Sequence, residues 1–386
     1  MPFWPSSFDI LALAFDIHNT ARAKGWKEEL SFAHVELEPC RGLMRVLMYY
    51  SNNDVRVEEV PVPQIGPGEV LMKVISSGIC GSDVMEWYRR DKVPLVLGHE
   101  VAGEVVEVGE GVKKFKPGDR IAATHHVPCN TCHHCLSGHH TMCEMLLKGT
   151  KFYPGGFAEY IRIPAVNVDR GVFPIPEGVS FDRASFMEPL GCVLRGQRNA
   201  KLEPGQSVLI LGSGISGLLH VGLARATGAG LVVAADTIDY RLQKAEEMGA
   251  QLAIPADDAL PETLRRHNSG YLADLVIICY EGFIPLAFRC VERGGTVLFF
   301  AGASEEAKIP YTINSIFWRT EVTLTSSYGA APLDCDLALK LIKAKAVDVE
   351  KMITHRLGLE EATGAFEAVC LPTEHQCIKV IVKPHQ

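Results

Sequence analysis

The sequence predicts an α/β protein in two unlike parts, a β-barrel-like half and a doubly wound parallel sheet. Three observations predict it. Residues 45 to about 160 read as short Val- and Ile-rich runs separated by Gly/Pro turns, with no long helical period. After Lys201-Leu202-Glu203-Pro204-Gly205 the pattern becomes apolar strand, glycine turn, helix and apolar strand again, as βαβ units require. A length of 386 residues is too great for one ordinary core and suits two.

In chain order, the first 43 residues fit neither pattern, and Met44 begins the barrel-like sequence. Residues 1–43 are therefore expected to be an N-terminal extension without an assigned role, plainly read as an appended helix. Its apolar stretch Ile10–Phe15 is flanked by Asp9 and Asp16 and preceded by no Lys or Arg, which argues against a secretory leader. Barrel strands are expected at Asp54–Val60, Glu69–Ser76, Val101–Val108 and Phe157–Ile163. Turns fall at Gly66-Pro67-Gly68 and Lys116-Pro117-Gly118-Asp119, where Pro presets φ and Gly accepts positive φ. Parallel strands are expected at Ser207–Leu211, Leu231–Ala235, Asp274–Cys279, Thr296–Phe300 and Val322–Thr325. Each is apolar almost throughout, as strands covered on both faces must be. Helices at Asp334–Lys345 and near Leu359–Ala368 follow, and a last strand, Ile378–Val382, should rejoin the first part.

The composition, 47% hydrophobic and 22% charged, is that of an ordinary globular protein. A net charge of −8 without a basic stripe argues against nucleic-acid binding. No apolar run reaches the roughly 18–20 residues that span a bilayer, so a soluble cytoplasmic protein without membrane partners is expected. Twelve cysteines in such a compartment point to metal thiolates before disulfides.

Cys129, Cys132, Cys135 and Cys143 form C-x2-C-x2-C-x7-C, a spacing that can close a tetrahedron of sulfur around one zinc and leave no open position. A redox reading of the CxxC pairs lacks the βαβ context it needs. His133, His134, His139 and His140 in the same lobe read as solvated loop residues. A second set is dispersed: Cys80 in Cys-Gly-Ser-Asp, His99 in Gly-His-Glu and Glu188 in Glu-Pro-Leu. Singly, each has an ordinary packing explanation. Together they supply sulfur, imidazole and carboxylate, three ligands that leave a fourth zinc position for water or substrate.

Ser207–Leu211 runs into Gly212-Ser213-Gly214-Ile215-Ser216-Gly217, and Asp236 lies nineteen residues beyond Gly217 at the end of the next strand. A strand, a G-x-G-x-x-G turn opening a helix and an acidic residue at that distance form the dinucleotide fingerprint. Gly212 gives the tight turn, Gly214 admits the pyrophosphate, Gly217 packs helix on strand, and the helix that opens at Ile215 offers N–H groups to phosphate. Asp236 suits the ribose diol of NAD, while Arg241 nearby keeps NADP open.

These motifs, with Gly103, Gly109, Lys116-Pro117-Gly118-Asp119-Arg120 and Gly156-Phe157-Ala158-Glu159-Tyr160, resemble the zinc-containing medium-chain dehydrogenase/reductase family. The likeness is strongest to its sorbitol- and threonine-dehydrogenase-like branch and runs from Met44 to Lys383. It implies a GroES-like β-barrel catalytic domain at 44–191 and 331–386 and a Rossmann cofactor domain at 192–330. It also implies two zinc ions per subunit, one catalytic on Cys80, His99 and Glu188 with Glu100 beside it, and one structural on the four-cysteine lobe. By the same resemblance Ser82 takes the substrate proton and Asp83 orients His99. His126 and Tyr328 would border the substrate pocket, and Arg241 the adenine. Many relatives carry a relay histidine five residues after the ligand cysteine, where this chain has Met85.

The implied reaction is hydride transfer between a secondary alcohol (a polyol, a sugar or an amino-alcohol such as threonine) and NAD(P), in a homodimer or homotetramer. An alcohol pKa near that of water, roughly 15.7, lies beyond the reach of side-chain environments. A zinc-bound water titrates near 7, a difference worth on the order of 12 kcal/mol. Metal content separates the alternatives: two zinc ions for this reading, none for a zinc-free reductase of the same superfamily, and one for a zinc-ribbon-like binding module.

Overall fold

The computed structural model describes residues 42–148 and 151–386, so the expectation for residues 1–41 lies outside the described part. Leu43–Ser51 is the first strand among the described residues. It pairs antiparallel with Asp54–Pro61 and, at its other edge, with Leu95–Val96. A seven-stranded sheet completes this half. Its path runs Ile353–Leu357, Lys379–Val382, Val70–Gly78, Glu100–Val108, Arg120–Ala123 and Val172–Pro174, with Tyr160–Ile163 on the edge of Val70–Gly78. Alternating residues of these strands, among them Val70, Met72, Val74, Val101 and Ile121, fill one shared core with Ile161 and Ile163. The last strand rejoins this half as expected, with Ile381 opposite Gly78 and Val382 opposite Ser77.

The other sheet has six strands, all parallel, in the order Leu252–Pro255, Leu231–Asp236, Ser207–Leu211, Ala273–Ile278, Val291–Phe299 and Thr323–Ser326. Ser207–Leu211 is fully buried, and Leu209 stands between Val233 and Val276. Chain order reverses beside this strand, which opens a crevice at the carboxyl ends of the strands where α/β proteins bind ligands. The edge strand Leu252–Pro255 was not anticipated, because four half-buried residues ending in Pro are too short to display a period. The expected helix near 359–368 is two pieces, Leu359–Ala362 and Ala365–Cys370, interrupted at Thr363-Gly364.

Helix Met187–Asn199 links the halves. It packs on Ile215–Ala226 and on Pro332–Lys343, and its Gly196 lies where a Cβ would come within 3.0 Å of the Phe300 ring. Its first turn carries Glu188, so packing against the parallel sheet fixes that carboxylate. Among the described residues no helix is long and apolar enough to cross a membrane.

Candidate active site and metal centres

The four lobe cysteines converge, with sulfur atoms all within 4.8 Å of one another. Cys132 and Cys135 Sγ are 3.5 Å apart and Cys129 and Cys135 Sγ 3.9 Å. A tetrahedron with Zn–S bonds of about 2.3 Å has edges of about 3.8 Å, so the donor set fits zinc. The backbone aids it: Cys132 N–H donates to Cys129 Sγ at 3.2 Å, and Cys129 N–H to Cys143 Sγ at 3.2 Å. Hydrogen bonds from Thr131 and Cys132 bring the Cys129 thiol down to about 5, favouring the thiolate a metal needs, whereas burial pushes Cys135 up to about 12. His133, His134 and His139 are exposed, and no lobe histidine joins the ligand group.

Cys80, just before the turn Gly81–Val84, and His99, just before strand Glu100–Val108, form a second group with Glu100, its donor atoms also within 4.8 Å. Asp83 is fully buried. Its Oδ2 accepts from Cys80 N–H at 3.0 Å, and its Oδ1 lies 3.6 Å from His99 Nδ1. Burial disfavours charge on His99, yet Asp83, the Cys80 sulfur and Glu188 hold its imidazole well above the ordinary range. Glu188 falls into a neighbouring group of donor atoms, with His125 and His126. Cys192, one helical turn on, donates to its Oε1 at 3.4 Å, and burial pushes the carboxyl up. The structure thus puts Glu100, expected beside the ligands, within the Cys80–His99 group and places Glu188 in the adjoining one. The two groups meet where the His99 and His125 rings stand 4.9 Å apart.

The structure brings His126 and Tyr328 together, ring centres 5.6 Å apart. Burial lowers His126 to about 3, so it is neutral at pH 7. Burial, then His126, His99, Arg89 and Lys151, hold His125 far below the imidazole range. Three residues were missed by sequence reasoning. His125 was visible only as half of a His-His doublet. Arg89 donates from Nε to Ser82 O at 3.1 Å and from Nη2 to Ser82 Oγ and Asp83 Oδ1, each at 3.4 Å. Lys379, 1% exposed, forms an ion pair with Glu100 and donates to Ile79 O at 2.8 Å. Its signal was a lone Lys in the run Cys377-Ile378-Lys379-Val380-Ile381. Lys379→Met would leave Glu100 buried without its counter-charge, and we expect a loss of about 3–5 kcal/mol in denaturant unfolding, largely restored by adding Glu100→Gln.

At the glycine turn Gly212 has φ +98°, and a Cβ on Gly217 would stand 1.9 Å from Gly212 O. Asp236 is 2% exposed; its Oδ2 accepts from Ser213 N–H at 2.6 Å, and its Oδ1 from Thr237 and Ile238 N–H at 2.8 and 3.0 Å. The carboxylate therefore braces the turn. Arg241 Nη1 is 3.8 Å from Asp236 Oδ2, and the guanidinium carbon would lie 3.7 Å from a Cβ on Gly214. Gly217→Ala would push helix and turn apart, and we expect at least about a tenfold weaker dinucleotide affinity in a fluorescence titration with the far-UV spectrum retained.

The parallel strands bring their carboxyl ends to one side of the sheet, where the glycine turn opens. Gly212, Gly302 and Tyr328 each follow the carboxyl end of a strand. Tyr328 meets His126, and a Cβ on Gly302 would stand 3.1 Å from Met85 Cε.

Residues 66–177 match the family model of the alcohol dehydrogenase GroES-like domain, and residues 216–344 that of zinc-binding dehydrogenase. Sorbitol dehydrogenase of Bacillus subtilis is 30% identical over 89% of this chain and 98% of its own. L-threonine 3-dehydrogenase of Francisella tularensis subsp. novicida is 31% identical over 84% of this chain and 95% of its own. The crystal structure of a zinc-binding dehydrogenase from Sinorhizobium meliloti bound to NADP superposes with a TM-score of 0.76 at 29% identity, covering 89% of this chain and 100% of the other.

Proposed function

The chain belongs to the zinc-containing medium-chain dehydrogenase/reductase family, and from that premise we propose that it oxidises secondary alcohols with NAD at a metal centre on Cys80 and His99. As an enzyme it is an NAD(P)-dependent alcohol or polyol dehydrogenase. One observation carries the finer reading: Tyr328, just past the carboxyl end of the sheet strand Thr323–Ser326, meets His126 of a metal-ligand group on the side of the sheet where the glycine turn also opens. In this reading 44–191 with 331–386 is the catalytic domain and 192–330 the cofactor domain.

A zinc ion held there supplies the Lewis acidity that brings an alcohol within reach of deprotonation near neutral pH. The remaining work falls to the chain. Cys80 and His99 hold the ion, and Glu188 or Glu100 provides the carboxylate. Asp83, buried beside His99, fixes which ring nitrogen faces the ligand group. Ser82 Oγ takes the hydroxyl proton as it gives its own to solvent, and the rings of half-buried His125 and buried His126 stack beside His99. Gly214 and the helix start at Ile215 seat the pyrophosphate on the turn that Gly212 and Gly217 shape. Asp236, already braced by three N–H groups, accepts from a ribose hydroxyl but repels a 2′-phosphate, which favours NAD over NADP. Arg241 borders the adenine.

The four-cysteine lobe holds a second, structural zinc. We extend the proposal to a homodimer or homotetramer in the cytoplasm, where the eleven described cysteines, none of them in a disulfide, would persist as thiols or metal thiolates. The test is a spectrophotometric screen of sorbitol, xylitol, butane-2,3-diol and threonine against NAD and NADP. We expect oxidation of at least one diol or polyol with NAD preferred; threonine as the sole substrate would shift the reading to a threonine 3-dehydrogenase, and NADP preference would remove the role given to Asp236.

A further inference from the structure

Arg89 is poorly accounted for by packing or by the reaction just described. It projects from the short helix Glu86–Arg89 toward Ser82, and its side chain is only 13% exposed. The guanidinium uses one edge, Nε and Nη2, on Ser82 O, Ser82 Oγ and Asp83, and its carbon lies 4.8 Å from the Tyr88 ring centre. Nη1 makes no hydrogen bond among the described residues. With Nε and both hydrogens of Nη2 engaged, the two N–H donors left are those of Nη1, charged donors that suit an oxyanion.

The placement of Nη1 is specific. Nη2 is 3.4 Å from Ser82 Oγ, the atom assigned to take the substrate proton, so a group seated on Nη1 lies within a few bonds of the reacting carbinol. Other positive charge faces the same wall. Arg89 and Lys151 both act electrostatically on His125, and Arg89 also acts on Tyr328, across the cleft from it. Asp83 balances part of this charge through Oδ1, 3.4 Å from Arg89 Nη2, while its Oδ2 accepts from Cys80 N–H and Glu188 accepts from Cys192. Arg89 and Lys151 belong to a chain of net charge −8, so their placement is a local feature and not a consequence of overall basicity.

We infer that Arg89 is a specificity residue that receives an anionic substituent of the substrate, a carboxylate or a phosphate, one to three carbons from the alcohol that is oxidised. This rests on the dehydrogenase reading and narrows it: the preferred substrates are hydroxy acids or phosphorylated polyols, ahead of neutral polyols.

The test compares matched pairs, butane-2,3-diol with 2,3-dihydroxybutanoate and glycerol with glycerol 1-phosphate, in the wild type, Arg89→Lys and Arg89→Gln. The wild type should turn over at least one anionic member with a kcat/KM about tenfold or more above its neutral partner. Arg89→Gln should cut that ratio by about tenfold to a hundredfold, chiefly through KM, and Arg89→Lys should keep part of it. The ratio is the readout because a merely structural loss at Arg89 would depress both members alike. The first pair winning identifies a carboxylate, the second a phosphate. Neutral members equal or better in both pairs, or a ratio unmoved by Arg89→Gln, overturns the inference. If no alcohol is oxidised, the dehydrogenase reading fails on its own, and calorimetric binding of the anionic members then decides this one: binding lost in Arg89→Gln supports it, and equal or absent binding overturns it.

Discussion

Cys80→Ala and His99→Ala are each expected to lower alcohol oxidation by about a thousandfold or more while leaving dinucleotide binding within about threefold of wild type. Lewis-acid stabilisation at a carbonyl or alkoxide oxygen is worth several kcal/mol, and each 1.36 kcal/mol is a factor of ten in rate. The glycine turn is built from Gly212–Gly217 and Asp236, none of which touches Cys80 or His99, so cofactor affinity has no reason to follow. Steady-state kinetics on the best substrate and a fluorescence titration with NADH read the two quantities separately. Asp83→Asn should fall between, since it keeps the shape beside His99 but removes the charge that faces Nδ1.

The second large effect is on stability. Cys132→Ser should release the lobe metal and drop the melting temperature sharply, because zinc bound to a folded thiolate site contributes about 10–16 kcal/mol in small zinc domains against a usual margin of about 5–15 kcal/mol for a whole domain. The lobe has little else to hold it. Its apolar core is Cys135, Cys143 and Leu146 with Cys129, Cys132 and Met145 packed against them, and three of its histidines face outward. Protease cleavage between residues 129 and 148 under conditions that spare the wild type, with the parallel sheet still folded, is the expected signature. Equal melting temperatures and an intact lobe would mean that the four sulfurs do not hold a structural ion.

How much of this was legible in the sequence follows from the reach of each signal. The buried parallel strands announce themselves because both faces are apolar, and the glycine turn because only Gly tolerates a neighbour at the distance Gly217 imposes. The cysteine lobe is local, so spacing alone predicted its convergence. The dispersed set depended on residues 80, 99 and 188, far apart in the chain, and here resemblance carried more than pattern. The finer arrangement escaped altogether. Lys379, almost 280 residues from Glu100, pairs with it, and Cys192, one helical turn past Glu188, donates to that carboxylate; neither contact can be read from spacing. Arg89 was invisible for the same reason: a guanidinium turned inward toward Ser82 and one turned to solvent have the same sequence. The strand Leu252–Pro255 was lost because sheet edges need less hydrophobicity than sheet centres.

Anomalous scattering at the zinc edge, from crystals grown with NAD, tests the central claim most directly. The account predicts two peaks per chain, one enclosed by the four lobe cysteines and one bounded by Cys80 Sγ, the His99 ring and a carboxylate of Glu188 or Glu100, with the nicotinamide ring in the same cleft. A single peak in the lobe, or a second peak remote from the nicotinamide, would contradict it.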